Sequence, residues 1–555
     1  MARPTLAIYG IKDRNDYGRA SFTHDHNLCL MENGKVLEYL QLERYSRFKY
    51  DNRLDLFLEE LIDRKVLDLP SQFDFVSVNS FAGNAFISKS GRIRFEANRT
   101  KELATDLEEA FGWFETKKWK GWEIPSWNCS QELAHLGSCL PFYGEFKENS
   151  LLIHFDGGAS LSNFSAFQFK NGKFKLLEAH WKLGFLSRFF NDNPLVFALM
   201  ETQRGDHCSI PGKLMGYAAL GQYDEKIAQW LHQHDYFKDY WNKPKELLRS
   251  INQHFGLSLA NFDMKEAFFQ NIAATFQGIF EEVLLENIYR LQKDTNTDYL
   301  YYSGGSALNI VANSRLVSEQ QFQDVFIPPC CNDSGLSLGA ASLLEFKKHG
   351  KVENHSPYLN SLGLKKEKEL SYNENTIQEL AQIIMQEGIV GICNGHGEIG
   401  PRALGNRSII ALPNSTEIAK KVSEECKGRE WYRPIAPIML ASVAQKVTDQ
   451  DVHELSKYML LDFPIKEEFR ADLAGVTHTN NTARIQAINH KDENPFMFDL
   501  LSFLYKNHGV KALINTSFNA GGEPIVHTGK EAIKSAKNMK LDAVIVNGEL
   551  IRLKD

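Results

Sequence analysis

The stretch that most restricts the fold is Gly395–Ile410, GHGEIGPRALGNRSII, which sets glycines, arginines and a glutamate between apolar segments. The preceding segment, Gly388–Cys393, is apolar enough to form a buried strand. A glycine-rich loop leaving such a strand lets backbone N–H groups come close to a ligand. Arg402 and Arg407 each offer a planar fork for two phosphate or carboxylate oxygens. We therefore predict an anion pocket here, with an arginine-capped surface turn as the alternative.

The size and composition of the chain limit what this pocket can belong to. With 555 residues, the chain exceeds a single core and predicts two or three domains. Its 43% hydrophobic and 24% charged residues are typical of globular proteins. A net charge of -7 gives no global reason to bind nucleic acid or an anionic membrane. The absence of a signal-peptide pattern, a long apolar run and CxxC pairs predicts a cytoplasmic protein with reduced cysteines and no membrane span.

The N-terminal region predicts a strand hairpin beside a candidate base. Leu6–Ile11 and Leu28–Met31 are apolar, and the second is followed by the turn Glu32-Asn33-Gly34. Between them, His24 stands next to Asp25. An imidazole beside a carboxylate can act as a base or contact a hydroxyl substrate, although a solvated loop histidine is the simpler interpretation.

Three further loops combine strand ends with glycines or acidic residues. They are Asp156-Gly157-Gly158 after the strand Leu151–Phe155, Ser303-Gly304-Gly305-Ser306 before a helix start at Asn309, and Asp333 ahead of the helix Leu338–Leu344. Such positions in α/β folds hold phosphates or metals. Gln131 and His135 are spaced to share one helix face. Each loop alone is consistent with a simple turn, but the set favours a site.

The remaining first half contains a core helix, an aromatic segment and a linker. A buried helical stripe is predicted by Ile272, Phe276, Ile279, Phe280 and Val283. Residues 112–122, GWFETKKWKGW, mix tryptophans with lysines, which favours either a nucleic-acid contact or an amphipathic surface segment. Residues 346–372 are polar and predict a linker, so we place the domain boundary near 365.

The second half adds cationic and polar residues near predicted strand ends. The motifs are KGREWYRP from Lys427, THTNNTARIQ with Arg484, and INTSFN with Ser517 and Asn519 after the strand Ala512–Ile514. A small, multiply charged phosphate needs several fixed donors once water is excluded. These residues therefore favour a phosphate ligand.

These motifs carry a resemblance along most of the chain. GPRALGNRSII, KGREWYRP, THTNNTARIQ, INTSFNAGGEPIV, SGGSALNIVAN and PGKLMGYAALG resemble the carbamoyltransferases of the NodU/CmcH type. The resemblance implies an α/β protein with mixed sheets, an actin-like, TsaD-like ATPase domain over 1–365 and a YrdC-like domain over 366–555. It also implies that ATP and carbamoyl phosphate form carbamoyladenylate in the C-terminal domain, before the N-terminal domain passes the carbamoyl group to a hydroxyl.

The resemblance also implies roles for individual residues. Carbamoyl phosphate would be held by Arg402, Lys427, Arg429, Arg433, Arg484, Ser517 and Asn519. Nucleotide would contact Gly157, Gly158, Gly304, Gly305 and Asn309. His24 would be the base near the acceptor hydroxyl, and Arg402 and Lys427 would act with it in catalysis.

The chain departs from the family pattern at two positions. The family has a His-x-x-x-His pair with two aspartates, and here His135, Asp156 and Asp333 are joined by Gln131. An amide oxygen favours harder cations, so the divalent metal is predicted to be Mg²⁺ or Mn²⁺, with Fe²⁺ less favoured. His396 stands where the family has an arginine.

The resemblance leaves the acceptor open. A sugar, an antibiotic or another natural product fits, and residues 112–122 raise a hydroxymethylated pyrimidine in DNA as a further acceptor. The rival hypotheses are a tRNA threonylcarbamoyl-transfer protein and a non-catalytic actin-like nucleotide-binding regulator. The joining of both halves with the GPRALG motif argues against the first, and pyrophosphate release on adding carbamoyl phosphate to ATP would exclude the second. The oligomeric state is not predicted.

Overall fold

The computed structural model describes residues 3–11, 23–80, 83–99, 101–107, 109–115, 118–119, 124–190, 193–201, 208–365, 367–448 and 450–554. The described chain is α/β, as predicted, with three large sheets of six, five and seven strands. Among the described residues, no helix is both long and apolar enough to cross a bilayer.

The first sheet is built from the N-terminal residues. Its strands and those of a small side sheet are β1 (Thr5–Tyr9), β2 (Asn27–Glu32), β3 (Lys35–Gln41), β4 (Asp74–Val78), β5 (Ala85–Ile87), β6 (Ile93–Glu96), β7 (Phe111–Glu115), β8 (Lys118–Trp119) and β9 (Pro125–Cys129). The helices are α1 (Leu42–Ser46), α2 (Leu54–Asp63), α3 (Gln131–Gly137) and α4 (Leu140–Tyr143). The strand order is β3-β2-β1-β4-β9-β7. β1 and β2 pair antiparallel, which confirms the predicted hairpin pairing.

The second sheet follows directly. Its strands are β10 (Ser150–Phe155), β11 (Phe164–Lys170), β12 (Lys173–His180), β13 (Tyr299–Ser303) and β14 (Asp324–Phe326). The helices are α5 (Ser187–Phe190), α6 (Pro194–Leu199), α7 (Ile210–Ala218), α8 (Glu225–Gln233), α9 (Pro244–Phe255), α10 (Ala267–Thr295), α11 (Ile310–Ser318) and α12 (Leu336–His349). α10 contains the predicted apolar stripe.

The two sheets share one topology. The order β12-β11-β10-β13-β14 matches β3-β2-β1-β4-β9. In both sheets, each of the first three strands in this order runs antiparallel to its neighbour. The last two strands run parallel to the third, which is β1 in one sheet and β10 in the other. This duplicated sheet is the actin-like architecture that the sequence predicted. The repeat is structural, since strand order requires similar apolar alternation and not identical residues.

The first sheet is buried on both faces because its side chains alternate. In β1, Leu6 and Ile8 join one apolar cluster, whereas Ala7 and Tyr9 join the larger core that extends through the rest of the molecule. α12 folds back onto β1, β2 and α3. A Cβ on Gly339 would lie 1.8 Å from the Ala134 oxygen, so only glycine lets α12 approach α3 this closely. This packing holds the residues of α3 against the loop that precedes α12.

The C-terminal sheet has mixed strand directions. Its elements, with one two-stranded ribbon, are α13 (Glu374–Met385), β15 (Val390–Cys393), β16 (Arg407–Ala411), α14 (Thr416–Lys420), β17 (Ala436–Leu440), α15 (Ala441–Val447), β18 (Phe463–Pro464), β19 (Thr482–Ala483), β20 (Gln486–Ile488), α16 (Pro495–His508), β21 (Leu513–Ser517), α17 (Gly529–Asn538), β22 (Ala543–Val546) and β23 (Glu549–Arg552). The sheet order is β20-β17-β21-β16-β15-β22-β23. The YrdC-like assignment and the boundary near 365 stay predictions.

The segment predicted as a linker is packed against both halves. Its first residues complete α12. Further along, Asn360 is fully buried and forms β-bridges with Tyr39 of β3 and with Gly397 of the glycine-rich loop. The segment therefore joins the first sheet to the glycine-rich loop by backbone pairing, which its polar composition did not indicate.

Candidate functional site

A cluster of metal-ligating side chains lies where α3 meets the loops after β10 and β14. The ligand atoms of His135, Asp156 and Asp333 all lie within 4.8 Å of one another. His135 Nε2 is 3.4 Å from Asp333 Oδ1 and 3.8 Å from Asp156 Oδ2. Gln131, one turn earlier on α3, places its amide 3.4 Å from Asp333 Oδ1. The structure thus brings together the four residues predicted as metal ligands.

The orientation of the His135 ring suits a metal ligand, and although burial opposes protonation, the neighbouring Asp333 and Asp156 raise its pKa. Its Nδ1 donates a hydrogen bond to the Cys331 carbonyl at 3.0 Å, which leaves Nε2 as the free acceptor. Among the described residues, Nε2 has no hydrogen-bond partner although the side chain is fully buried. Burial and the neighbouring Asp333 raise the pKa of Asp156. One imidazole and two carboxylates therefore fit a divalent cation, which would relieve the repulsion between the carboxylates. Gln131 turns its amide nitrogen toward Asp333, so its role as an oxygen ligand stays a prediction.

His24 lies at the edge of this cluster. Its Nδ1 is 3.0 Å from Asp25 Oδ2 and 4.0 Å from Asp333 Oδ2. Burial opposes protonation of His24, but Cys208, Asp333 and Asp25 outweigh it, so its pKa is raised well above the ordinary value. Asp25 fixes the orientation of the ring, as expected for a histidine that exchanges a proton.

The predicted nucleotide loops surround Asp156. The Gly157 amide donates to Asp156 Oδ1 at 2.6 Å, and the Gly305 amide donates to Asp156 Oδ2 at 2.5 Å. Gly304 has φ +103°, and a Cβ there would lie 2.1 Å from the Phe155 oxygen. The amides of this turn therefore face a carboxylate of the protein. Gly158 lies under the ring of Trp181.

Asn309 has structural partners of its own. Its Oδ1 accepts a hydrogen bond from the Ala312 amide and caps α11. Its amide group also pairs with Gln277 at 2.9 and 3.0 Å. The structure gives Asn309 a capping role, and its contact with nucleotide stays a prediction.

A cationic pocket lies between α7 and the C-terminal sheet. It spans about 670 Å³, a volume that includes space open to solvent. One wall carries four arginines predicted to bind phosphate, namely Arg402, Arg429, Arg433 and Arg484. Other lining residues belong to α7 and to the start of α11. Both halves of the molecule therefore contribute to the lining.

Lys427, Ser517 and Asn519 form a tight group next to this pocket. Lys427 Nζ donates to the carbonyl of Ser517, to the carbonyl of Asn519 at 2.7 Å and to its Oδ1 at 3.1 Å. Ser517 Oγ donates to Asn519 Oδ1 at 2.6 Å. Arg429 Nη1 lies 3.3 Å from Thr516 Oγ1 and joins this group to the arginines.

The pocket holds more positive charge than its own acids neutralise. Within the described chain, Arg433 pairs with Glu430 at 3.3 Å, whereas Nε of both Arg402 and Arg484 is buried without a hydrogen-bond partner. Burial lowers the pKa of Arg402 to about 10 and that of Arg429 to about 9, and the neighbouring Arg433 adds to both shifts. Several desolvated cations without counterions are the arrangement that binds an anion.

Arg407 does not belong to this pocket, so its prediction as an anion ligand is wrong. It is 1% exposed and donates to the carbonyls of Asn394, Gly395, Asn406 and His527. Its donors hold the glycine-rich loop together because β16 directs the side chain inward. His396 is exposed and outside the pocket lining, so the charge missing at this position does not weaken the arginine wall.

The loop of residues 329–333 carries Asp333 of the metal cluster and packs against the glycine-rich loop that carries Arg402 of the pocket. Gly400 of the glycine-rich loop has φ +88°, and a Cβ there would lie 2.3 Å from the Pro329 oxygen. Burial raises the pKa of Cys331 to about 12, with Arg402 opposing this shift and Asp156 adding to it. Cys331 therefore lies within electrostatic range of both sites.

Sequence reasoning missed two residues that connect His24 to the arginines. The Tyr50 ring packs edge-on against His24, with the centroids 6.2 Å apart. Burial lowers the pKa of Lys49, with a further contribution from Arg433. The signal was the basic and aromatic run RYSRFKY after β3, which a motif search at strand ends does not reach.

Residues 112–122 are described in part. β7 is the edge strand of the first sheet, and β8 pairs with β6. Residues 116, 117 and 120–122 lie outside the described residues. The nucleic-acid role of this segment stays a prediction.

Two family models match the chain. The carbamoyltransferase N-terminus matches residues 136–342, and the carbamoyltransferase C-terminus matches residues 381–553. An uncharacterised protein of Methanocaldococcus jannaschii is 26% identical over 560 residues, covering 95% of this chain and 98% of that protein. Nodulation protein NolNO of Sinorhizobium fredii is 25% identical over 572 residues, covering 96% and 79%. Full-length HypF in its phosphate- and nucleotide-bound form aligns at 14% identity and a TM-score of 0.32, over 62% of this chain and 55% of that one.

Proposed function

The chain belongs to the carbamoyltransferase family, whose N-terminal and C-terminal models both match it, and we propose that it is an O-carbamoyltransferase working through carbamoyladenylate. ATP and carbamoyl phosphate are the proposed substrates, and a hydroxyl-bearing molecule is the acceptor. Residues 366–555 form the YrdC-like activating domain in this proposal, and residues 1–365 form the TsaD-like transfer domain.

The observation that carries the proposal is the cationic pocket. It presents Arg402, Arg429, Arg433 and Arg484 toward one cavity, with Lys427 held nearby by Ser517 and Asn519. A phosphate dianion supplies the negative charge that these cations lack, and a guanidinium can bind two of its oxygens at once. A carboxylate or a neutral ligand would leave more of the buried charge unbalanced.

The activation step follows from atom balance. Water displaces phosphate from carbamoyl phosphate and leaves carbamate. An oxygen of carbamate then attacks the α-phosphorus of ATP, and pyrophosphate departs. The arginines of the pocket stabilise the charge on the departing phosphate groups. Lys427 adds the charge of a nearby ammonium group. The product, carbamoyladenylate, is a mixed anhydride that water hydrolyses, so a closed pocket favours transfer.

The transfer step takes place beside His24. The acceptor oxygen attacks the carbamoyl carbon, its proton passes to the neutral form of His24, and AMP departs. Asp25 orients the imidazole, and Tyr50 packs against the ring. A divalent cation held by His135, Asp156, Asp333 and Gln131 would supply Lewis-acid stabilisation of phosphate oxygens when bound. The loop at residues 329–333 connects the proposed transfer site to the glycine-rich loop that carries Arg402.

The test of the proposal is pyrophosphate release from ATP with and without carbamoyl phosphate, in the absence of any acceptor. The proposal expects release that depends on carbamoyl phosphate. Release at the same rate without it, or no release in the presence of both substrates and Mg²⁺, would contradict the activation step.

The acceptor class is tested separately. Sugars, hydroxylated natural products and DNA containing hydroxymethylated pyrimidines are incubated with both substrates, and mass spectrometry detects the carbamoyl increment. The aromatic and basic composition of residues 112–122 is what supports including DNA.

A further inference from the structure

We propose that Lys213 of α7 is a further ligand for the phosphate anion in the cationic pocket, and that Glu430 holds it in place until the anion binds. This inference rests on the proposed function, because it takes carbamoyl phosphate as the ligand. It assigns a role to the PGKLMGYAALG motif, to which the activation and transfer steps give none.

The helix that carries Lys213 is a wall of the pocket. Gly212, Met215, Gly216 and Ala219 of this segment line the cavity together with the arginines. Lys213 lies beside this lining on the same helix, and its Nζ is 2.7 Å from Glu430 Oε1. Its charge comes from the half of the molecule that does not supply the arginines.

α7 is fixed against the C-terminal half by specific contacts. A Cβ on Gly216 would lie 3.1 Å from Pro434 Cδ, so a larger residue would push the helix away from the arginine wall. The rings of Tyr217 and Tyr432 pack edge-on with their centroids 5.5 Å apart, and Thr479 Oγ1 donates to the Ala219 carbonyl at 2.9 Å. These contacts hold α7, and with it the backbone of Lys213, against the half of the molecule that carries the arginines.

Glu430 bridges Lys213 and the pocket arginine Arg433. Its Oε1 is 2.7 Å from Lys213 Nζ, and its Oε2 is 3.3 Å from Arg433 Nη1. One carboxylate therefore bridges a cation from each half, as a phosphate with several acceptor oxygens would. The Glu430 side chain is 35% exposed, so it can turn toward water when a stronger anion arrives.

The charges in the pocket favour this exchange. Asp462, the acid among the lining residues, interacts with Ser314 and Thr482 and leaves the arginines without its charge. Among the described residues, Glu430 is the acid that pairs with both Lys213 and Arg433, and a phosphate dianion carries twice its charge. Lysine suits the exchange because its flexible stem lets the ammonium move between two anions, whereas a bidentate arginine would hold one.

The experiment measures carbamoyl phosphate binding to the full chain by isothermal titration calorimetry. K213Q should weaken the affinity about 10- to 150-fold, the range for one charge-assisted contact. K213R keeps the charge and should stay within a few-fold of the wild type. E430Q should bind as tightly as the wild type or more tightly, because the competing carboxylate is gone. Lys243→Gln removes a lysine from an exposed ion pair with Glu246 and serves as the matched control.

The outcomes separate this inference from the proposed function. Equal affinity of wild type, K213Q and the control would overturn the role of Lys213 and leave the proposed function standing. A loss in E430Q as large as that in K213Q would show that Glu430 positions the cations and would overturn the exchange. No binding by the wild type would contradict the proposed function itself. Inorganic phosphate, titrated in parallel, shows whether the phosphate group alone accounts for the contact with Lys213.

Discussion

The two sites of the molecule have opposite charge imbalances. The pocket beside α7 carries Arg402, Arg429 and Arg484 with too few acids, whereas the cluster beside α3 carries Asp156 and Asp333 with one buried imidazole between them. The first holds an excess of positive charge, whereas the second sets two carboxylates side by side. Burial opposes protonation of His135, but these carboxylates outweigh it and raise its pKa, and Asp333 likewise helps to raise the pKa of His24. Buried unbalanced charge costs free energy in the unliganded protein, so each imbalance indicates the ligand that removes it.

The comparison also separates the two half-reactions. The cationic pocket suits the departing phosphates of activation, and the carboxylate cluster, with His24 at its edge, suits transfer to a hydroxyl. The loop at residues 329–333 carries Asp333 and packs against the glycine-rich loop that carries Arg402, which supports the proposal that one protein makes and uses the reactive intermediate. A variant on one side should therefore spare the half-reaction of the other.

The largest effect is expected from His24→Asn. Loss of a general base costs about 10²–10⁴-fold in rate, so transfer to the acceptor should fall by that factor. Pyrophosphate release should continue, because His24 lies outside the arginine wall. Rapid-quench assays of both half-reactions on the same preparation check this. Transfer at nearly the wild-type rate would show that His24 is not the base.

Arg407→Ala should act on stability. It leaves several buried carbonyls without a donor, so the free energy of unfolding should fall by about 3 kcal/mol or more. Urea unfolding of the variant against the wild type measures the change. Unchanged stability combined with lost carbamoyl phosphate binding would show that Arg407 binds the anion.

Arg402→Ala should impair activation with the fold intact, and Lys427→Ala should impair activation with some loss of stability, because Lys427 also donates to the carbonyls of Ser517 and Asn519. Each removes a charge-assisted contact of about 1.5–3 kcal/mol, which corresponds to about a 10- to 150-fold loss in carbamoyladenylate formation. Arg290→Ala, which removes an exposed arginine of α10 paired with Glu178, is the matched control. Normal pyrophosphate release in both pocket variants would refute the assignment of the pocket.

The smallest effect concerns metal choice at the carboxylate cluster. Gln131→His places a second imidazole one turn from His135 and should shift preference from Mg²⁺ toward Fe²⁺ or Zn²⁺ by about tenfold or more, near 1.4 kcal/mol. Metal content after chelation and reloading, with binding followed by calorimetry, gives the measurement. Stoichiometric iron in the wild type, with transfer restored by iron alone, would show that the glutamine interpretation is wrong.

The sequence predicted which charged residues lie together better than it predicted the contacts around them. Strand-end motifs located Asp156, Asp333 and the arginines because local glycine and charge patterns identify strand ends. The sequence could not show that Arg402 lines the pocket whereas Arg407 is buried. Both occur in one glycine-rich segment, and only the inward direction of the Arg407 side chain at the start of β16 distinguishes them. Lys213 and Lys49 were also out of reach, because their importance depends on contacts between distant segments.

The central claim is that activation and transfer use separate sites, and isotope exchange tests it most directly. Labelled pyrophosphate is exchanged into ATP in the presence of carbamoyl phosphate, without acceptor, for the wild type, Asp333→Asn and Arg484→Ala, with circular dichroism as a check on folding. The account predicts near wild-type exchange in Asp333→Asn, together with lost transfer, and strongly reduced exchange in Arg484→Ala. Abolished exchange in a folded Asp333→Asn variant, with normal exchange in Arg484→Ala, would contradict it.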